Sequence, residues 1–176
     1  MTGETWVAFL RGVNLGKRQV KNAELRAAYE AMGFDNVRTL IASGNVIFDA
    51  RETPTREALE AGFAVRFGFE SGTVLRRQSE LRDLIASDPF EGREEDDNTK
   101  LYVTFLAEPV GASLAMPMEV PGDFRVVKCT DREICILAFR LPTGRFGLGM
   151  EAIWKHFDKK SLWTSRNWNT VIKAAK

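Results

Sequence analysis

The chain has 176 residues and is 44% hydrophobic, which is enough to bury a core in one large domain or two small ones. Its 25 basic and 24 acidic side chains give a formal charge of +1. This balance excludes a global positive field that would draw the whole molecule to nucleic acid or to an acidic membrane. Near the N-terminus only residues 6–10 form an apolar stretch, too short for a signal-peptide core or a membrane span. We therefore expect a cytoplasmic protein with no membrane partner.

The first half of the chain predicts six elements. Strands are expected where β-branched and aromatic side chains concentrate, at residues 5–11, 37–42, 46–48 and 73–77. A first helix is expected between an N-cap at Asn22 and a stop at Gly33. A second is expected to open at Thr53-Pro54 and to run to residue 67. The order strand, helix, strand, strand, helix, strand is that of a split βαβ unit.

The second half predicts the same order less clearly. A short helix from Ser79 ends before Pro89, and the acidic run that follows, residues 91–97, is typical of a linker. The remaining elements are strands at residues 101–107, 124–130, 133–139 and 161–163 and helices at residues 110–116, 150–157 and 166–175. The expected fold class is α+β, with duplicated ferredoxin-like (βαββαβ) units and mainly antiparallel sheets. The units are expected at residues 1–90 and 98–176.

The first strand is apolar on both of its sides, because Trp6 and Ala8 alternate with Val7 and Phe9. Both faces of the first sheet are therefore expected to be buried. This expectation argues against an open sheet of the RNA-recognition type.

Few side chains suit metal, redox or nucleophilic chemistry. Cys129 and Cys135 form no CxxC pair and are too few for a disulfide framework, so we expect two reduced core residues. His156, the single histidine, has no acidic or cysteine partner at a ligand spacing and is expected on the surface. Arg76 and Arg77 end a predicted strand and are expected to be solvated. The sequence predicts no metal and no cofactor, and it leaves open whether the protein is an enzyme.

The first candidate site is the loop that leaves the first strand and enters the first helix. Glycines let backbone N–H groups converge on an anion, and a helix N-terminus adds partial positive charge. The residues expected to contact such an anion are Arg11, Gly12, Asn14, Gly16 and Lys17, with Arg18 as a further cation. The spacing differs from that of a Walker loop, and a glycine-bearing turn with solvated charges explains the same residues.

The second candidate site is the start of the last predicted helix. Arg166 would lie in its first turn, where the helix dipole disfavours a cation by about 0.3–1 kcal/mol unless an anion is bound nearby. Asn167 and Asn169 lie off the apolar face of this helix and could donate to the same ligand or act as caps. Trp168 lies on the apolar face and is expected in the core.

The third candidate is the predicted hairpin tip. Ser43 and Asn45 could present a hydroxyl and an amide to a ligand. Turn chemistry alone also explains the tripeptide Ser43-Gly44-Asn45.

Several of these motifs together resemble a known family. They are, in chain order, Leu10-Arg11-Gly12-Val13-Asn14-Leu15-Gly16, Val37-Arg38-Thr39, Ser43-Gly44-Asn45-Val46, Asp88-Pro89-Phe90 and Arg166-Asn167-Trp168-Asn169-Thr170-Val171 with Lys173. In this order they are similar to the bacterial domain-of-unknown-function family 1697. The resemblance implies a small cytoplasmic bacterial protein of duplicated ferredoxin-like architecture, with no activity, cofactor or catalytic residue to carry over. This chain departs from the family at residues 17–19, where members have a Gly-Gly-Lys-Asn loop, and at residues 147–149, where members have a Ser-Lys pair.

The leading hypothesis is that the loop at residues 11–17 and the segment at residues 166–169 form one polar site for a small anionic ligand. A phosphate- or carboxylate-bearing molecule, such as a nucleotide or a sugar phosphate, would fit. One alternative is nucleic-acid binding through the basic C-terminal segment, residues 150–176, which has six Lys and Arg against Glu151 and Asp158. Another is a scaffold that self-associates through its sheet. The sequence does not fix the oligomeric state.

Overall fold

The computed structural model of the protein describes residues 3–40, 44–109, 119–158 and 160–176. The described part contains five α-helices and nine strands, and all strand pairs are antiparallel, which confirms the predicted α+β class. Backbone contacts divide the chain into two compact units, Met1–Asp83 with Ile172–Lys176, and Leu84–Val171. Within the described ranges, no helix is both long enough and apolar enough to cross a bilayer.

The first unit contains one four-stranded sheet and two helices that alternate with its strands. Its elements are β1 (Glu4–Leu10), α1 (Asn22–Ala31), β2 (Asp35–Thr39), β3 (Asn45–Ala50), α2 (Arg56–Phe67) and β4 (Thr73–Arg77). The strands lie in the order β2-β3-β1-β4, so β1 is a central strand that pairs with β3 on one side and β4 on the other. The predicted order of elements in this half is confirmed.

The helix ends of the first unit follow from local chemistry. Helix α1 starts after Lys21, not at an Asn22 cap as predicted, and the Lys21 backbone N–H donates to the Glu24 carboxylate at 3.3 Å. Helix α2 starts after Thr55, whose hydroxyl accepts a hydrogen bond from the Ala58 N–H at 3.2 Å. Pro54 therefore precedes the cap and does not occupy the first helical position.

Both faces of the first sheet are buried, as predicted. On one face Ala8 belongs to a core cluster with residues of both helices and of β3. Val7 and Phe9 point to the opposite face because side chains alternate along a strand, and both are fully buried. Arg76, opposite Val7 in the sheet, is 1% exposed, so the expectation that it is solvated is wrong. Arg77 is exposed and pairs with Glu4 at 3.1 Å.

The core of the first unit contains the hydroxyl group of Tyr29, whose removal is expected to change stability measurably. Tyr29 is fully buried, and its hydroxyl has no hydrogen-bond partner among the described residues. Burial, and then the nearby Glu60 carboxylate, raise the pKa of this hydroxyl. An unsatisfied buried hydroxyl costs about 1–3 kcal/mol, so Tyr29→Phe is expected to raise the free energy of unfolding by about 1 kcal/mol. Chemical denaturation measures this, with Tyr102→Phe, at a half-buried site, as the control; a lower stability of Tyr29→Phe contradicts the prediction.

The chain passes from the first unit to the second within α3 (Gln78–Ala86). The second unit contains β5 (Thr99–Leu106), β6 (Glu119–Val120), β7 (Phe124–Cys129), β8 (Glu133–Phe139), a 3₁₀ turn (Leu148–Met150), α4 (Glu151–Trp154) and β9 (Trp163–Asn167). Its strands lie in the order β6-β7-β8-β5-β9. Helix α5 (Trp168–Ala174) follows β9 directly.

Three predictions for the second half are corrected by the structure. The helix predicted from residue 166 starts at Trp168, because Arg166 and Asn167 pair with β5 and extend β9. The helix predicted at residues 150–157 is only four residues long, Glu151–Trp154. Cys129 is exposed and only Cys135 is a core residue. The helix predicted at residues 110–116 lies outside the described residues.

Candidate anion-binding site

The loop at residues 11–21 joins the central strand β1 to α1. Its backbone turns at two glycines with left-handed dihedral angles, Gly12 at φ +69° and Gly16 at φ +61°, a region that side-chain-bearing residues rarely occupy. Between and after these turns, Val13 and Val20 are 4% and 5% exposed and anchor the loop in the core cluster of the first unit. The buried valines fix the loop while the polar residues stay on the surface.

Two other segments meet this loop at the same end of the first sheet. The Leu10 N–H donates to the Gly44 carbonyl at 2.8 Å, and the Arg11 N–H donates to the Gly72 carbonyl at 2.8 Å. The Ser71 hydroxyl donates to the Arg11 carbonyl, also at 2.8 Å. The structure therefore brings the first candidate loop next to Gly44.

The third candidate differs from the prediction. Asn45 belongs to β3 opposite Phe9 and is fully buried, so its amide is not presented at an exposed hairpin tip. Ser43 lies outside the described residues. Gly44 remains important for another reason, since it packs against Leu10 and Val13 at the base of the loop.

A concavity of about 330 Å³ lies on the loop. It is lined by Asn14, Gly16, Arg18, Gln19, Val20 and Lys21. The side-chain oxygen of Asn14 accepts a hydrogen bond from the Val20 N–H at 2.8 Å, which fixes the carboxamide and leaves its NH₂ group as a donor. The lining residues that the structure describes thus combine an amide donor with cations, and none of them carries a carboxylate.

Three cations of the loop have no acidic partner in the described part of the chain. Lys17, Arg18 and Lys21 are exposed, and none has a carboxylate within ion-pair distance among the described residues. The Arg18 guanidinium lies over the Phe69 ring, 4.6 Å from its centroid, which orders this side chain. The nearest acidic residue along the chain is Glu24, whose carboxylate accepts the Lys21 backbone N–H.

The second candidate lies in the second unit, and its polar groups are bonded within the protein. Arg166 is in β9, and its guanidinium donates to the Thr164 hydroxyl at 2.6 Å and to the Ser165 carbonyl at 2.9 Å. Burial lowers the pKa of Arg166 to about 10. Because Arg166 belongs to a strand, the unfavourable helix-dipole interaction expected for it does not arise. Trp168 is half-buried and packs edge-on against Phe90, with ring centroids 5.0 Å apart.

Glu95 accepts hydrogen bonds from both asparagines of this candidate. The side-chain amide of Asn167 donates to one Glu95 carboxylate oxygen, and that of Asn169 donates to the other at 3.2 Å. The Leu101 N–H also donates to Glu95, at 3.0 Å, and the Lys100 ammonium lies 3.8 Å from it. The sequence assigned Glu95 to an acidic linker, and no local pattern reveals its two asparagine partners because they lie more than seventy positions along the chain.

The remaining candidates for chemistry are few. In the part of the chain that the structure describes, no group of three or more His, Cys, Asp or Glu side chains is placed to hold a metal ion. His156 is exposed, as predicted. In the glycine-rich stretch at residues 147–149, the Gly149 N–H donates to the Asp123 carboxylate at 2.9 Å, so this stretch is tied to its own unit.

The fold and the site define a class of protein with two antiparallel α+β units and a basic, glycine-bearing loop in the first. A family model described as "Protein of unknown function (DUF1697)" matches residues 3–134, well over half of the chain, and the chain belongs to this family. The conserved bacterial protein SP0830 from Streptococcus pneumoniae has a similar structure, with a TM-score of 0.71 and 20% sequence identity over 98% of this chain and 97% of that one. At this identity the likeness supports the fold alone. No curated protein sequence matches the chain.

Proposed function

We propose that this protein binds a small anionic ligand, bearing a phosphate or a carboxylate, at the loop of residues 11–21. The observation that carries the proposal is a set of three exposed cations on one short loop, Lys17, Arg18 and Lys21, which have no carboxylate partners among the described residues. Two of them, Arg18 and Lys21, line the concavity. Like charges held on one short loop repel one another, and a bound anion converts this repulsion into attraction.

The backbone supports the same ligand. The loop ends at α1, a helix of ten residues whose N-terminus carries partial positive charge. The fixed amide of Asn14 adds a neutral donor to the cations. Charge-assisted hydrogen bonds from Lys and Arg to phosphate or carboxylate oxygens are about twice as strong as neutral ones. Arg11, Gly12 and Gly16 belong to the same loop, and their contact with the ligand stays a prediction.

The proposal depends on the loop and not on the second candidate segment. Asn167 and Asn169 donate to Glu95, and Arg166 donates to Thr164 and Ser165. A ligand that used these donors would have to replace the bonds to the protein. Their participation in the site stays a prediction.

We also infer that the protein is a duplication of a ferredoxin-like unit. The first sheet has the order β2-β3-β1-β4, and the second contains the order β7-β8-β5-β9 with β6 added at its edge. If β5, β7, β8 and β9 correspond to β1, β2, β3 and β4, the two orders are the same. Helix α4 then corresponds to α2, since both connect the third strand of the unit to the fourth.

The test uses inorganic phosphate as the probe and two matched double variants. Lys17→Ala/Lys21→Ala removes two loop cations, and Lys155→Ala/Lys160→Ala removes two exposed lysines of the second unit. Titration followed by backbone amide NMR is expected to shift the resonances of residues 11–21. The loop variant is expected to bind phosphate roughly tenfold more weakly, since each exposed ion pair between a lysine and the phosphate contributes about 0.2–1 kcal/mol. The control variant is expected to bind like the wild type.

Two results would contradict the proposal. One is the absence of phosphate-dependent shifts at residues 11–21, and the other is equal weakening in both variants. A single-stranded oligonucleotide serves as the second probe for the nucleic-acid alternative. Oligonucleotide binding that falls steeply with salt and is lost only in Lys155→Ala/Lys160→Ala would favour that alternative.

A further inference from the structure

One apolar side chain stands out on the basic loop. Leu15 is 66% exposed and is one of three large apolar side chains exposed in the described part of the chain, with Val65 and Leu148. Its chain neighbours Asn14 and Gly16 both line the concavity of the proposed anion site. An exposed leucine is ordinary by itself, but this one lies within a loop whose other exposed residues are polar or glycine.

The loop holds Leu15 outside while it buries its other apolar residues. Val13 and Val20 are almost fully buried, although they belong to the same eleven-residue segment. Gly12 and Gly16, on either side of Leu15, both have left-handed dihedral angles. A Cβ atom added to Gly12 would lie 3.2 Å from Leu15 Cδ1, so the leucine side chain covers Gly12 and does not enter the core.

One cation of the site, Arg18, has apolar neighbours. The Arg18 N–H donates to the Leu15 carbonyl at 3.1 Å, which ties the leucine and the arginine into one turn. The Arg18 guanidinium rests on the Phe69 ring. A ligand held by Arg18 thus meets charge and apolar surface within a few ångströms.

We propose that the anion recognised by this loop carries an apolar group directly beside its anionic group, as in a soluble phosphate monoester of an aromatic or aliphatic alcohol, and that Leu15 contacts that group. This inference rests on the proposed anion-binding function. Apolar contact at Leu15 adds affinity because the ligand and the leucine both leave water. Inorganic phosphate makes the polar contacts alone.

The test compares inorganic phosphate with phenyl phosphate on the wild type and on two variants. Wild-type protein is expected to bind phenyl phosphate roughly tenfold more tightly than inorganic phosphate, the difference produced by burying about two methylene equivalents. Leu15→Ser is expected to reduce this preference to less than threefold and to leave the affinity for inorganic phosphate unchanged. Leu148→Ser, at the exposed leucine of the second unit, is expected to behave like the wild type.

The outcomes separate this inference from the function on which it rests. If neither phosphate binds, the proposed function fails. Equal wild-type affinity for the two probes, or equal weakening of both by Leu15→Ser, overturns the role of Leu15 and leaves the anion site standing. Leu15-dependent sedimentation with vesicles that contain phosphatidic acid, without binding of phenyl phosphate, overturns the assignment to a soluble ester.

Discussion

Replacement of Glu95 by alanine is expected to lower the free energy of unfolding by about 3 kcal/mol. The Glu95 side chain is only 15% exposed and accepts hydrogen bonds from the amides of Asn167 and Asn169 and from the Leu101 N–H. Removing the carboxylate leaves three donors without their acceptor, and each buried or half-buried unsatisfied donor costs about 1–3 kcal/mol. Asn169 is exposed, so water can replace its acceptor, and the expected loss comes mainly from the other two donors at about 1.5 kcal/mol each.

Glu94→Ala is the matched control because it removes an exposed carboxylate from the adjacent position. It is expected to change stability by less than about 0.5 kcal/mol. Urea denaturation followed by circular dichroism compares the two variants with the wild type. The interpretation of Glu95 as an acceptor for the β9–α5 junction is wrong if Glu95→Ala and Glu94→Ala unfold at the same urea concentration.

The first half of the fold could be predicted because its signals are local. A run of apolar residues predicts β1, and the predicted bounds of the first two helices, Asn22 to Gly33 and residues 54–67, lie within about two residues of the observed ones. Short-range signals of this kind also located the glycine-bearing loop between β1 and α1. Because Val13 and Val20 anchor this loop in the core, its cations stay exposed and the amide of Asn14 is fixed.

Two of the errors share one physical origin, which is pairing between distant segments. The apolar spacing in residues 168–175 is helical, but the residues before it pair with β5, so Arg166 and Asn167 became strand. Arg76 has the composition of a surface residue and is nevertheless 1% exposed within the sheet. A single sequence contains no local record of such partners, and tertiary context decides these positions.

The acidic run shows that distant pairing also limits the prediction of binding residues from sequence. Six carboxylates within ten residues are typical of a solvated linker, yet Glu95 accepts three hydrogen bonds and the Asp96 carboxylate accepts the Asn98 and Thr99 N–H groups at 2.7 Å. The side-chain amides of Asn167 and Asn169, which the sequence predicted as donors to an external anion, therefore donate to Glu95. The local sequence predicted that Asn167 and Asn169 are donors to a ligand or caps, and it contained no sign that Glu95 accepts from both.

Substitution of Gly44 by alanine is expected to cost about 2–3 kcal/mol and to weaken phosphate binding at the loop. Gly44 has φ +84°, which costs an alanine about 1–2 kcal/mol. The added Cβ would also lie 3.1 Å from the Leu10 carbonyl oxygen and 3.2 Å from Val13 Cγ2. Leu10 belongs to the central strand and donates its N–H to the Gly44 carbonyl, so it cannot move away without loss of that hydrogen bond. Displacement is therefore expected at Val13, the buried anchor of the basic loop.

Gly68→Ala separates the two contributions. Gly68 has φ +77°, close to that of Gly44, but an added Cβ has no heavy atom within 4 Å. It is expected to cost about 1 kcal/mol through conformation alone and to leave phosphate binding unchanged, because its only role is to end α2. Thermal unfolding and the phosphate titration are measured on both variants. Equal losses of stability in the two variants would show that the contact with Leu10 and Val13 contributes nothing. Unchanged phosphate affinity in Gly44→Ala would show that Gly44 does not position the loop.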